Sequence, residues 1–215
     1  MQKKFVVSSL CLLIAILIGS YFYSQNQTVQ SLEQKAQGVN VYERSYSPSF
    51  GPKNAKVTIT EFFDPACEAC RAFYPIVKQI LSRHPNDVRL VLRYATFHQG
   101  SETVVRMLET ARQQDKFKLV LEALLEGQHE WASHGKPNIS RAWEIAENAG
   151  LDIEKSKAEL KTKELDLILE QEKEDIRTLK ISQTPTFFVN EKPLPSFGAQ
   201  QLYDLVVSEI NNAIK

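Results

Sequence analysis

The stretch KVTITEFFDPACEAC, residues Lys56–Cys70, joins two different patterns. Its first part, Lys56–Phe63, is rich in β-branched and aromatic residues, a composition that is typical of a β-strand. Its second part places Cys67 and Cys70 three residues apart, where the strand pattern gives way to a helical one. Three-residue spacing in the first turn of a helix puts both sulfurs on one side, close enough to bond with little distortion. The stretch therefore predicts a strand that leads directly into a helix with a cysteine pair at its N-terminus.

The residues that follow complete a strand–helix–strand unit. Apolar residues recur at helical spacing as far as about Ser82, and Pro75 inside this run predicts a kink. Val88–Tyr94 alternates apolar and basic residues and predicts a second strand. Two strands and a helix within about 40 residues are typical of a βαβ unit.

Residues 101–180 have a helical pattern throughout, in which Gly150 ends one helix and Asp152 is a candidate N-cap for the next. The charged part of this region, residues 155–180, predicts a solvated helix with many i,i+4 ion pairs. A strand pattern then returns at Thr186–Val189.

An amphipathic helix from about Ala199 to Ile214 follows the last strand pattern. The element order predicts an α/β fold in which residues 48–100 and 181–215 form one domain and residues 101–180 form an inserted helical domain.

The N-terminal residues 1–24 predict a transmembrane signal anchor. Lys3 and Lys4 precede a charge-free apolar run, Phe5–Tyr23, which as a helix spans roughly 28 Å, close to the hydrocarbon thickness of a bilayer. The positive-inside rule places the N-terminus in the cytoplasm and the rest of the chain outside it. A poor cleavage site after the run favours an uncleaved anchor. Cleavage would instead release the rest of the chain outside the cytoplasm.

The polar, glutamine-rich residues that follow predict a linker over residues 25–47, with an ordered lead-in around Tyr42–Pro52 that packs on the domain. The whole chain has 215 residues, 43% of them hydrophobic and 24% charged, with a formal net charge of zero. These values fit one globular domain with an insertion. The absence of a basic excess argues against a nucleic-acid partner.

The cysteine count restricts the chemistry. Of the three cysteines, Cys11 lies in the predicted anchor, so that Cys67 and Cys70 are the pair available outside the cytoplasm, where disulfides persist. The helix N-terminus favours a thiolate at Cys67 and makes it the nucleophile, whereas Cys70, one turn deeper, would resolve the mixed disulfide.

The cysteine pair has two other interpretations. A structural zinc site needs four ligands, but the chain has no second cysteine pair and its four histidines are scattered, so we expect no metal and no cofactor. A purely structural disulfide is the stronger alternative, although a ring of four residues constrains little of the unfolded chain.

The segment Val57–Cys70 together with QTPTFFVN, residues 183–190, resembles the DsbA-like branch of the thioredoxin superfamily. The long helical block between the two segments is also similar. The resemblance implies a thioredoxin-like fold with an inserted helical domain, and activity on protein thiols in the bacterial cell envelope. The predicted anchor would then lie in the bacterial inner membrane, and a cleaved chain would be periplasmic. It further implies that Pro185 follows a cis peptide bond and faces the cysteines, and that Thr184 offers backbone hydrogen bonds to the substrate.

Two further ionisable residues lie near these motifs. Glu61 lies where related proteins often place a buried acid that relays the proton of the resolving cysteine, and the alternative is a solvent-facing strand residue. His98 follows the second strand and is interpreted as a structural residue.

The dipeptide between the cysteines, Glu68-Ala69, differs from the Pro-His of strongly oxidising members. The charge of Glu68 opposes a thiolate at Cys67, which predicts a weaker oxidant than DsbA. The leading hypothesis is oxidation of cysteine-containing exported proteins, with reoxidation by a DsbB-like, quinone-linked membrane partner. The alternatives are a reductase or disulfide isomerase supplied by a membrane reductant donor, and a tethered binding or assembly factor without turnover.

Overall fold

A computed structural model describes residues 40–132 and 135–213 of the chain. The predicted anchor at residues 1–24 and residues 25–39 of the predicted linker lie outside this part. Among the described residues, no helix is both long enough and apolar enough to cross a bilayer.

The described residues form one mixed sheet whose strands lie in the order β1-β3-β2-β4-β5. Its strands are β1 (Ser49–Phe50), β2 (Val57–Phe63), β3 (Val88–Tyr94), β4 (Thr186–Val189) and β5 (Lys192–Pro193). β2 and β3 run parallel, and the other neighbouring pairs are antiparallel. The strands predicted on either side of the helical block, β3 and β4, therefore flank β2 at the centre of one sheet.

The helices are α1 (Glu68–Arg83), α2 (Ser101–Gln113), α3 (Phe117–Glu126), α4 (Gln128–Trp131), α5 (Ile139–Asn148), α6 (Ile153–Glu159), α7 (Lys163–Thr178) and α8 (Ala199–Ala213). α1 continues through Pro75. Asp152 caps α6 by accepting a hydrogen bond from the amide of Lys155. The single helix predicted from Asp152 onward is two helices, because Thr162 accepts a hydrogen bond from the amide of Leu165 and starts α7.

The two faces of the sheet pack against different helices. Side chains alternate along a strand, so Ile59, Glu61 and Phe63 of β2 point to the face that α1 and α8 cover, where the main core lies. Phe62 points to the other face, which carries a smaller apolar cluster against the end of α7. This alternation places Glu61 beneath the N-terminus of α1.

The ordered lead-in contacts the α7 face of the sheet. Glu43 accepts a hydrogen bond of 2.7 Å from Nη1 of Arg89, and Arg44 donates one of 2.8 Å to Asp175. The ring of Tyr42 packs edge-on to Phe188, with centroids 4.9 Å apart. Residues at the end of the predicted linker thus contact β3, β4 and α7.

The prediction of a solvated helix over residues 155–180 is wrong for one face of α7. Arg93 of β3 is fully buried, and its Nε donates to both carboxylate oxygens of Glu172 at 3.0 and 3.1 Å. Its Nη2 donates to Asp175 at 2.5 Å. Glu172 and Asp175 are each only 2% exposed, so α7 is held to the sheet by a buried ion pair network.

Candidate active site

The cysteine pair lies where β2 ends and α1 begins. Cys67 is the N-cap of α1, with extended backbone angles (φ −77°, ψ 121°), and Cys70 is in the first turn of the helix. Both are free thiols. The side chain of Cys67 is 5% exposed and that of Cys70 is fully buried, so an incoming sulfur can reach Cys67 more easily.

The surroundings of Cys67 stabilise its thiolate. The hydrogen bond from the Cys70 thiol is the largest cause of this stabilisation, and burial opposes the stabilisation. The side chain of Thr184 and the backbone amides of Cys70 and Ala69 stabilise the thiolate further. Together they lower the pKa of Cys67 to about 5. The opposite holds for Cys70, because burial, the hydrogen bond to Cys67 and the charge of Glu61 raise the pKa of its thiol. The site therefore separates a nucleophile from a protonated partner.

Glu61 is a buried acid beneath the cysteine pair. Its side chain is 1% exposed, which rules out the solvent-facing alternative. Neither of its carboxylate oxygens has a hydrogen-bond partner among the described residues. Burial, and then the charge of Cys67, raise the pKa of Glu61 to about 8. At neutral pH the group is consequently protonated and able to donate a proton.

The segment before β4 forms the opposite wall of the site. The peptide bond between Thr184 and Pro185 is cis, the isomer that the family resemblance implies. In its protonated form, the thiol of Cys67 donates a hydrogen bond of 3.3 Å to the backbone carbonyl of Thr184, whereas the side chain of Thr184 is the group that favours the thiolate. The structure thus brings together residues from β2, α1 and the approach to β4, 117 positions apart in the chain.

A buried carboxylate that the sequence did not single out connects the cysteine loop to the loop after β3. Oδ1 of Asp64 accepts from the amide of Ala66 at 2.9 Å and from the hydroxyl of Ser101. Its Oδ2 accepts from the amides of Phe97 and His98 at 2.8 and 2.9 Å, and it contacts Nδ1 of His98 at 2.8 Å. The sequence does not indicate this role, because the partners of Asp64 in and after the loop that follows β3 lie more than thirty residues away.

His98 therefore lies beside the cysteine loop with its ring half exposed. Burial lowers its pKa, but the hydrogen bond and charge of Asp64, helped by the charges of Cys67 and Glu68, raise it overall. His98 thus contacts Asp64 next to the cysteine loop, and its structural role stays a prediction.

The thioredoxin family model matches residues 43–205, most of the chain. The chain belongs to the thioredoxin family. A thioredoxin-like oxidoreductase from Silicibacter pomeroyi DSS-3 superposes with a TM-score of 0.69 at 28% identity, covering 80% of this chain and 96% of that one. BdbD from Bacillus subtilis (TM-score 0.68, 23% identity, 77% and 94% covered) and ScsC from Proteus mirabilis (0.64, 20%, 95% and 97%) share the fold.

Curated relatives of this thioredoxin-family chain include two much longer proteins. The Na⁺/H⁺ antiporter NhaA of Herminiimonas arsenicoxydans is 28% identical over 147 residues, which are 67% of this chain and 22% of that protein. NhaA 1 of Salinispora arenicola is 27% identical over 143 residues, 65% of this chain and 21% of that protein. The chain thus spans about a fifth of the length of these relatives.

The thioredoxin family, its fold and the geometry of Cys67 and Cys70 all fit thiol–disulfide exchange at this pair.

Proposed function

We propose that the domain oxidises pairs of cysteines in exported proteins of the bacterial cell envelope. The observation that carries this proposal is the low pKa of Cys67, about 5. A stabilised thiolate stabilises the reduced form of the pair, so that the disulfide form is a better oxidant. The value lies between about 3.5 for DsbA and about 7 for thioredoxin, which supports an oxidant weaker than DsbA.

The reaction begins with the domain as the Cys67–Cys70 disulfide. A client thiolate attacks the sulfur of Cys67, which forms a mixed disulfide and breaks the bond to Cys70. Cys70 leaves as a thiolate and takes up one proton. A second client thiolate then attacks the client sulfur of the mixed disulfide, so that the client disulfide closes and Cys67 leaves as a thiolate. Two electrons and one proton stay with the domain, and the other proton goes to solvent.

Glu61 is the proposed source of the proton for Cys70. It is buried, it interacts with the charge of Cys70, and its raised pKa keeps it protonated when the leaving thiolate forms. Thr184 and Pro185 are proposed to receive the client chain, because the Thr184 carbonyl contacts the nucleophile and would align an extended peptide next to it.

The proposed setting follows from the N-terminal sequence. An anchor at residues 1–24 would hold the domain at the outer face of the bacterial inner membrane, and a DsbB-like, quinone-linked membrane protein would accept its two electrons. The alternative, a reductase or isomerase kept reduced by a membrane donor, is favoured by one observation: Glu68 places a negative charge next to the nucleophile.

Two measurements test the direction of electron flow. Thiol alkylation in intact cells is expected to find Cys67 and Cys70 mostly as a disulfide, and equilibration with glutathione is expected to give a potential between about −120 and about −270 mV. A mostly reduced pair in cells, with a potential near that of thioredoxin, would establish the reductase instead.

A further inference from the structure

A buried amide side chain from the helical block contacts the backbone of the cysteine loop. Gln128, the first residue of α4, is 2% exposed. Its Nε2 donates one hydrogen bond of 2.8 Å to the carbonyl of Pro65 and another of 3.0 Å to the carbonyl of Cys67. Both N–H groups of one side chain are thus used on the carbonyls of the two residues that flank Ala66.

Gln128 lies at the corner between α3 and α4, and side chains of neighbouring helices hold this corner in place. A Cβ atom on Gly127 would lie 2.7 Å from Cδ1 of Ile145, so glycine permits the close approach of α5 at this point. Trp131 is fully buried, and its Nε1 donates a hydrogen bond of 2.8 Å to the carbonyl of Leu124. Gln128 is therefore presented by a packed helix corner and not by a mobile loop.

The carbonyl that Gln128 holds belongs to the nucleophile itself. The same Cys67 carbonyl accepts the first hydrogen bond of α1, from the amide of Arg71 at 3.1 Å. Its orientation fixes where the N-cap residue places its sulfur relative to the free amides of the first turn. The two N–H groups also offset the partial negative charge of two carbonyl oxygens close to a thiolate.

We propose that Gln128 is a positioning residue for thiol–disulfide exchange, which holds the Pro65 and Cys67 carbonyls so that the Cys67 sulfur stays aligned with the N-terminus of α1. The role concerns the exchange reaction itself and applies whichever way electrons flow between domain and client. It makes the helical block a part of the redox site, because the reactivity of Cys67 then depends on a side chain 61 residues away.

The test uses the purified full chain with Gln128→Met, which keeps the length of the side chain and removes both donors. We expect the pH midpoint for alkylation of Cys67 to rise by about one unit. Destabilising the thiolate tenfold should make the pair less oxidising, by about 30 mV in equilibration with glutathione. Urea unfolding of the reduced and the oxidised forms is measured in parallel.

Gln114→Ala is the matched control. Gln114 also connects two helices through its amide, donating to the carbonyl of Asp152 and the hydroxyl of Ser156, but it does not contact the cysteine loop. The Gln114→Ala variant is expected to lose stability equally in the reduced and the oxidised form. Its pH midpoint for alkylation of Cys67 and its reduction potential should stay unchanged. The same pattern in Gln128→Met, a loss of stability with no change of midpoint, would make Gln128 merely structural and overturn the proposal.

If Gln128→Met does not fold, a second variant tests the positioning role of Gln128. Gly127→Ala keeps the amide but displaces the corner against Ile145, and it should shift the midpoint in the same direction by a smaller amount. An unchanged midpoint in a folded Gly127→Ala chain with lowered stability would count against the proposal in that case.

Discussion

Cys67 owes its low pKa to hydrogen bonds from its own helix turn, and the Cys70 thiol supplies the largest part of the effect. Replacing Cys70 with alanine removes this donor, so the midpoint for alkylation of Cys67 should rise from about 5 toward the ordinary thiol value. Cys70→Ser restores a donor at the same position and is expected to keep most of the shift. Equal midpoints in the two variants would show that the Cys70 hydrogen bond is unimportant.

Glu61 gives a second prediction at the scale of one residue. Its folded pKa of about 8 lies above its ordinary value, so the folded chain holds a proton that the unfolded chain releases between about pH 4.5 and 8. Wild type therefore loses stability over this window as the pH rises. Relative to wild type, Glu61→Gln should gain up to about 1.4 kcal/mol of unfolding free energy per pH unit.

Urea unfolding of both proteins at a series of pH values checks this prediction. A difference in stability that does not change between pH 5 and 8 would show that Glu61 ionises normally in the folded chain.

The individual residues differ in how far sequence could predict them. Cys67 and Cys70 could be predicted from their spacing and position, and Pro185 from the family resemblance. Asp64 and Gln128 carry no such signal, because their function comes from partners that are distant in sequence and include main-chain atoms. A buried polar contact of this kind requires the tertiary structure.

At the scale of elements, α7 depends on the buried cation of β3. Arg93→Met leaves Glu172 and Asp175 buried without that cation, which should lower the free energy of unfolding by about 3–5 kcal/mol. The control is Arg177→Met, which removes an exposed pair with Glu174 on the same helix and should cost less than about 1 kcal/mol. A small loss of unfolding free energy in both variants would mean that water or Arg44 stabilises the two carboxylates in place of Arg93.

Helices and strands could be predicted from the sequence more accurately than the surroundings of their side chains. The strands around the cysteines and before α8 followed from residue type and spacing, and Asp152 was correctly expected to cap a helix. The solvated face predicted over residues 155–180 was wrong because acidic residues that pair with a buried arginine look the same in sequence as acidic residues in water. Arg93, the deciding partner, is 79 residues from Glu172.

At the scale of the whole molecule, the redox state should change the stability. The pKa of Cys67 is depressed in the folded reduced chain, so its stabilisation is complete above the ordinary thiol pKa and is lost as the pH falls through about 5. At pH 7 it amounts to about 3 kcal/mol. The reduced chain should therefore unfold at higher urea than the oxidised chain at pH 7, with a difference that shrinks toward pH 5.

Denaturation of both forms across this range measures the effect. An oxidised form that is the more stable at pH 7 would contradict both this prediction and the proposed direction of electron flow.

The whole fold could be anticipated only through resemblance. Local pattern does not say that Ile59 pairs with Val189, 130 positions later, or that the intervening helices return the chain to the same sheet. Those pairings determine that Thr184 meets Cys67.

The exposure of Glu68 has a consequence for evolution. Its side chain points to solvent, while the bonds that hold and activate Cys67 come from main-chain amides and from Cys70, Thr184 and Gln128. Substitutions at position 68 can therefore alter the reduction potential, with a matching change in the stability of the reduced chain relative to the oxidised one, without disturbing the contacts that hold the fold together. Selection can adjust the direction and strength of electron transfer in one lineage after another without having to rebuild the protein that performs it.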